Sequence, residues 1–460
     1  MKKTMVLNVV GLTQELIGEH TPFLSRWSAK SKTAYIKPGL PAVTCTAQSN
    51  YLTGKWPSSH GVVGNGWYFR DDCEVKFWRQ SNKLVGGEKI WDAAKKADPS
   101  FTCSNMFWWY NMYSTVDISA TPRPIYAADG RKYSDCYTFP PDLRHELQEK
   151  LGTFPLFDFW GPKTSVRSSE WIARAAMISE TRYPVTLTFI YLPHLDYDLQ
   201  RKGLIHPDIP KNLQEIDKVC EEVVTFYESL GTEVIILSEY GIIDVDNPIS
   251  INRLLREKGY LRVREENNGE LLDAGASDAF AVVDHQLAHI YVNNRDKLRE
   301  IRALIESIPG VEAVFGNKEK KAHHLNHARS GELVAVADAR SWFTYYYWLD
   351  DNKAPDFART VDIHRKPGYD PVELLLDPAI KALPLKVMFK LLKKKLGFRY
   401  LLDVISLDPS LVKGSHGRYP DTLQQGPLLM SKKGHLLPDS PAEATDVYQI
   451  IWNHVFEEGN

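Results

Sequence analysis

Residues 5–10 (MVLNVV) form a short apolar run, and the pattern predicts a buried first strand. The following TPFLSRWSAKS places apolar residues at helical spacing behind Thr21, a residue type suited to an N-cap. Further apolar runs at 101–108, 185–192 and 233–237 alternate with helical patterns at 90–96, 168–179 and 213–230. This alternation predicts an α/β fold: a mostly parallel sheet with helices on both faces. Ligands bind beyond the carboxyl ends of strands in such sheets, so the loops after Val10, Leu192 and Leu237 are expected to carry chemistry.

Two regions depart from the alternation. Residues 108–165 are rich in Trp, Tyr, Phe and Pro without clean periodicity, and are expected to form a lid or pocket wall able to hold a planar group. After Tyr240 a strand is expected at 284–292, a helix at 295–308 and a strand at 331–337, compatible with an inserted cap. GSHGRYPDTLQQGPLL then returns to turn-and-strand chemistry, and an amphipathic helix at 444–456 closes the chain. The expected organisation is a core at 1–275 carrying the lid at 108–165, a cap at 276–410, and a return to the core at 411–460.

Composition narrows the function classes. With 460 residues, 43% of them hydrophobic, the chain can bury a large core. A net charge of −2 gives no basic excess of the kind that nucleic-acid binding requires. One local exception is KVMFKLLKKKLGFR at 386–399, a basic amphipathic helix expected to present a solvated face, with docking on a membrane or a partner as the alternative. No run reaches the ~18 apolar residues of a membrane span. The opening MKKTMVLNVVGL lacks a small-residue cleavage site after its apolar run, so it is expected to be a strand and not a signal peptide. Five scattered cysteines without a C-x-x-C pair are expected to be free thiols in a cytoplasmic protein.

The densest chemistry lies in PAVTCTAQSNYLTGKWPSSHGVVGNG, residues 41–66. Thr44 is expected at the start of a short helix that Gly54 and Pro57 stop. Free N–H groups and the positive end of the helix dipole favour a phosphate or an alkoxide there, and Asn65 could donate to a phosphoryl oxygen.

The full pattern T-x-x-x-Q-x-x-x-L-T-G-x-x-P-x-x-H-G-x-x-G-N resembles the nucleophile segment of the alkaline phosphatase superfamily, in its type I phosphodiesterase/nucleotide pyrophosphatase branch. The resemblance implies an alkaline-phosphatase-like sheet, a nucleophilic Thr44, and divalent metal, most often two zinc ions, held by Asp and His on sheet-end loops. Carried over position by position, it implies metal ligands at Asp196 in YLPHLDYDLQRKG and at His416 in GSHG. It places Gln200 where the family has His, and Glu239 and Tyr240 of SEYG where the family has Asp and His. The Asp that ends the family's first strand falls on Val10. His194, Asp198 or the histidines at 323, 324 and 327 could compensate, and the loop DIHRKPGYDP offers His364 and Arg365 as substrate contacts.

The expected function is metal-dependent hydrolysis of a small-molecule phosphoester through a covalent Thr44 phospho-intermediate. The alternative, raised by Val10, Gln200 and Tyr240, is a non-hydrolytic relative that binds a phosphorylated or aromatic metabolite.

Overall fold

The structure is a computed structural model that describes residues 1–456 apart from Gly130, Asn268 and Arg399. Its centre is a nine-stranded sheet in the order Ala442–Glu443, Lys32–Lys37, Leu428–Ser431, Glu233–Leu237, Thr4–Val9, Leu187–Leu192, Cys103–Met106, Ile118–Pro122 and Cys136–Phe139. Thr4–Val9 is the axis, pairing in parallel with Leu187–Leu192 on one side and Glu233–Leu237 on the other. All six of its residues are buried, as the apolar run requires of a strand covered on both faces. Leu428–Ser431 and Cys136–Phe139 run antiparallel to their neighbours, so the sheet is mostly and not wholly parallel.

The helix after the first strand shows how sequence and tertiary structure divide the work. It spans Pro22–Ser28 with Thr21 at the N-cap position, but the Thr21 hydroxyl bonds backwards, accepting from the Gly18 N–H and donating to the Leu16 carbonyl. The free Phe23 and Leu24 N–H groups donate instead to the two carboxylate oxygens of Asp217, each at 2.8 Å. Asp217 comes from the helix Ile209–Ser229 packed alongside, so a distant carboxylate caps this helix.

A second apolar core forms around a separate four-stranded antiparallel sheet of Ala279–Asp284, Leu287–Val292, Leu333–Ala337 and Val311–Phe315. The single strand expected at 284–292 is instead the end of one strand, a tight turn and the next strand. The turn falls at the polar break Asp284-His285-Gln286, but it uses no Gly or Pro, the usual turn residues, and it holds His285 at φ 61°. The aromatic stretch likewise contains two strands of the main sheet, Ile118–Pro122 and Cys136–Phe139. Phe107 and Trp108 pack into the core, while Trp109, Phe159 and Trp160 face a cavity.

Leu383–Lys395 is a helix as expected, and Arg399 at the end of that expected segment lies outside the described residues. Among the described residues no helix is long and apolar enough to cross a membrane.

Candidate functional site

Thr44 opens the helix Thr44–Thr53, which Gly54 ends in the left-handed conformation at φ 61°. Leu40-Pro41 is a cis peptide, and Val43 is extended immediately before the helix. Every residue of the helix is buried, an arrangement that is tolerable because its polar side chains are spent on specific partners. Ser49 and Thr53 donate back to the Cys45 and Ser49 carbonyls, and Tyr51 donates to the Ser238 carbonyl at 3.0 Å.

The sheet-end loops converge on the Thr44 hydroxyl. Tyr240 follows the strand Glu233–Leu237, and its hydroxyl lies 3.2 Å from Thr44 Oγ1. The same Tyr240 hydroxyl donates to Asp196 Oδ1 at 3.1 Å. Asp196 sits in the helix His194–Lys202 after the strand Leu187–Leu192, and its other oxygen accepts from Gln200 Nε2 at 2.7 Å. Gln200 is oriented in turn by Tyr369, whose hydroxyl donates to Gln200 Oε1 at 2.9 Å. Burial pushes the Asp196 carboxyl up to about 7, against the opposing bonds from Tyr240 and Gln200.

His416 arrives from the late GSHG turn, which is pinned to the segment just before Thr44. Ala42 N–H donates to the Gly417 carbonyl at 3.0 Å, and His416 Nδ1 lies 2.8 Å from the Ala42 carbonyl. A carbonyl only accepts, so Nδ1 carries the proton and Nε2 presents a lone pair. Burial lowers the His416 imidazole to about 3, keeping it neutral. Its ring lies flat on Tyr240, with centroids 3.6 Å apart and 6° between planes, and His285 packs on it at 3.6 Å.

Glu239 lies behind Thr44, fully buried, with Oε1 accepting from the side-chain amides of Asn8 and Gln48. Burial pushes its carboxyl up to about 8. Asn8, too deep to act as a ligand, is thus the residue that holds Glu239. Asn65 accepts from the Cys45 N–H through Oδ1 at 3.0 Å. Asp284 holds Asn65 from the other side, accepting its N–H at 2.6 Å and its Nδ2 at 3.0 Å. One Nδ2 hydrogen of Asn65 remains to face the cavity.

Asp196 and His416 are the two donors that face each other across the site. His416 Nε2 has no hydrogen-bond partner and faces Asp196 Oδ1 at 3.8 Å. Two lone-pair atoms facing each other call for a cation or a proton between them. Around Thr44 itself the cage is incomplete: Val10 offers no donor, the Tyr240 hydroxyl occupies the approach between Thr44 and Asp196, and Glu239, whose Oε1 takes two amides, keeps only Oε2 without a partner. Gln200 cannot replace an imidazole, because both ends of its amide are engaged. Among the described residues no group of three or more His, Cys, Asp or Glu is arranged to hold a metal ion.

The other candidate residues lie elsewhere. Asp198 is committed to Arg201, Lys202 and Asn212, and His194 Nε2 stands 3.4 Å from Glu215. His323 and His324 stack on Phe315 and Trp56, and His327 Nδ1 accepts from the Arg329 N–H. In the DIHRKPGYDP loop, Lys366 is buried against Asp370 and Glu373, each at 2.7 Å, so its charge is spent inside the protein. Glu373 also accepts from Trp160 Nε1 at 2.6 Å and so fixes one cavity wall. His364 does line the cavity and is held neutral by burial. Arg365 is absent from that lining and pairs with Asp356 at 3.1 Å. Sequence reasoning placed Asp284 and His285 at the start of a strand and favoured a structural role there; the signal it passed over is the polar break Asp284-His285-Gln286, which marks the turn that carries them to the site.

Above Thr44 and Asn65 opens a cavity of about 490 Å³. Trp78, Trp109, Trp160, Tyr197 and Tyr369 form its inner wall, and Lys132 and Lys163 lie among its outer residues. A phosphoryl group at the floor would leave room for a sizeable apolar or aromatic substituent above it.

The sequence profile of type I phosphodiesterases/nucleotide pyrophosphatases matches residues 4–370. Among solved structures, phosphonoacetate hydrolase from Sinorhizobium meliloti 1021 in complex with phosphonoformate aligns at TM-score 0.62 and 14% identity, over 99% of this chain and 95% of that one. Murine ectonucleotide pyrophosphatase/phosphodiesterase 5 in complex with AMP aligns at 0.58 and 13%, and the human protein at 0.59 and 12%, with the same coverage. At these identities the structural likeness speaks for the fold alone. No curated protein sequence matches the chain significantly.

Proposed function

The chain belongs to the type I phosphodiesterase/nucleotide pyrophosphatase family and carries its alkaline-phosphatase-like hydrolase fold, and from that premise we propose that it hydrolyses a phosphoester with Thr44 as nucleophile. The observation that carries this reading is the hydrogen-bonded chain from the Thr44 and Tyr240 hydroxyls to the Asp196 carboxylate at the floor of the cavity, with steps of 3.2 and 3.1 Å. Because the Tyr240 proton is given to Asp196, the Tyr240 oxygen is left to accept from Thr44. Attack on phosphorus then forms the Thr44 Oγ1–P bond and breaks the P–O bond to the alcohol. The Thr44 proton passes through Tyr240 to Asp196, and the departing alkoxide takes a proton from solvent. In the second half, water attacks phosphorus and releases its proton to solvent, while Thr44 leaves and regains its proton by the same relay. Asn65, held by Asp284, donates its remaining Nδ2 hydrogen to a phosphoryl oxygen.

Family members are metal-dependent phosphoesterases. We propose that this chain holds a single divalent cation between Asp196 and His416, with zinc suited to the imidazole and carboxylate donors. Such a cation supplies positive charge to neutralise the phosphoryl oxygens. The His416 Nδ1 bond to a backbone carbonyl is the orientation that a ligating imidazole needs. We also propose a cytoplasmic setting, which five cysteines without a disulfide support.

A second reading has a specific observation behind it. The Tyr240 hydroxyl occupies the approach to Thr44 that a second cation would take, which favours a non-hydrolytic binder of a phosphorylated or aromatic metabolite. Bis(p-nitrophenyl) phosphate and p-nitrophenyl phosphate, offered with and without zinc, separate the two. Cleavage that falls at least about 100-fold in Thr44→Ala and persists in Thr44→Ser supports the nucleophile. Cleavage that survives Thr44→Ala overturns it, and binding without any cleavage favours the second reading.

A further inference from the structure

The helix Leu383–Lys395 is turned the wrong way round for a helix facing water. Leu383, Lys386, Val387 and Lys390 face the protein: Leu383 and Val387 pack on the apolar cluster around Val404 and Ile405. Lys386 and Lys390 both reach inward to the Asp403 carboxylate, at 3.1 and 3.0 Å. Leu385, Met388, Phe389, Leu392 and Leu396, spaced at helical intervals of three, four, seven and eleven, form one outward stripe in solvent. Met388 is 62% exposed, Leu396 63% and Phe398 61%. An exposed apolar stripe of this length marks a surface made to be covered.

Two observations say by what. Exposed Lys393 and Lys395 flank the stripe on the helix, and Lys393 Nζ sits 4.9 Å from the centre of the Phe389 ring. Large apolar side chains rimmed by lysines match the boundary of an anionic lipid leaflet, where rings enter the acyl region and ammonium groups stay with the headgroups. The stripe is also continuous with the mouth of the cavity. Val387 and Leu391 of the helix line that cavity, together with exposed Leu376 and Leu401. An apolar path therefore runs from the protein surface to Thr44.

We propose that the chain docks by Leu383–Lys395 on an anionic membrane surface and takes from it a lipid phosphoester. The hydrocarbon part enters between the helix and the aromatic wall, and the phosphate lies at Thr44 and Asn65. The docking stands on the helix alone, whereas the placement of the phosphate rests on the hydrolase reading above.

The test is co-sedimentation of the full chain with vesicles of phosphatidylcholine alone and with about one third phosphatidylglycerol. Binding is expected to the anionic vesicles, weaker at high salt, and to fall by about tenfold or more in Leu385→Ser/Met388→Ser/Phe389→Ser. Those three side chains are exposed, and circular dichroism checks that the variant is folded. Thr44→Ala is expected to bind vesicles as the wild type does, so loss of hydrolysis and loss of docking are read separately. Absence of vesicle binding overturns the proposal. So does equal binding to neutral and anionic vesicles. It is overturned equally if the wild type is a dimer that the triple variant converts to monomer without any vesicle binding, because the stripe is then covered by a second copy.

Discussion

The hydroxyl of Tyr240 stands 3.2 Å from that of Thr44, while the Tyr240 ring lies flat on His416. One side chain thus stands where the family motif has His and keeps contact with both Thr44 and His416. Tyr240→Phe preserves the stack and removes the relay. Turnover is expected to fall about 10- to 100-fold with KM little changed, the worth of one buried hydrogen bond in the transition state. Steady-state kinetics on the substrate that the wild type cleaves check this.

The relay also sets a pH dependence. Asp196 receives the proton only when ionised, and in the metal-free protein burial holds its carboxyl up to about 7. Without added metal the kcat is therefore expected to rise as pH increases through about 7, and a cation held by Asp196 and His416 is expected to move that limb to lower pH, because positive charge favours the carboxylate. In Tyr240→Phe that limb is expected to vanish from the kcat profile.

Asp284 supports the site from behind. Its carboxyl is pushed by burial from 3.8 up to about 7, so the folded state favours the protonated form. Its contribution to stability is full below pH 3.8 and is lost as pH rises through about 7. Urea unfolding across this range is expected to show stability declining with pH more steeply in the wild type than in Asp284→Asn. Asp284→Ala leaves Asn65 without its partner, and is expected to lower kcat as well as stability.

The cap on Pro22–Ser28 can be tested away from the chemistry. Asp217→Ala leaves the Phe23 and Leu24 N–H groups buried without acceptors. A loss of about 1–3 kcal/mol is expected in chemical denaturation, with no change in the pH profile of activity.

Metal content tests the donor count. No more than about one zinc per chain is expected in the purified protein after equilibration with excess zinc and removal of loose ions. Elemental analysis of Val10→Asp/Gln200→His/Tyr240→His is expected to give a higher ratio. Two ions bound by the wild type would overturn the one-cation proposal.

What the sequence determined by itself is whatever depends on neighbours along the chain. Apolar runs of five or six residues marked the central strands, because a strand buried on both faces cannot alternate. The helix Thr44–Thr53 and its left-handed Gly54 were legible because propensity, spacing and a stop residue lie within a dozen positions. The motif through Asn65, with Asp196, Tyr240 and His416, named residues that the fold does bring together. What only the tertiary structure decided is what depends on partners hundreds of positions apart. Asp217 caps a helix that Thr21 was expected to cap, Asn8 and Gln48 hold Glu239, and Asp284 aims Asn65 from a turn more than two hundred positions away. The outward direction of the Leu385 stripe belongs here too: the sequence shows two faces on that helix, and it is Asp403 that draws the lysines inward. Buried polar groups must find partners wherever the fold places them, and that choice is made by packing, which no local pattern records.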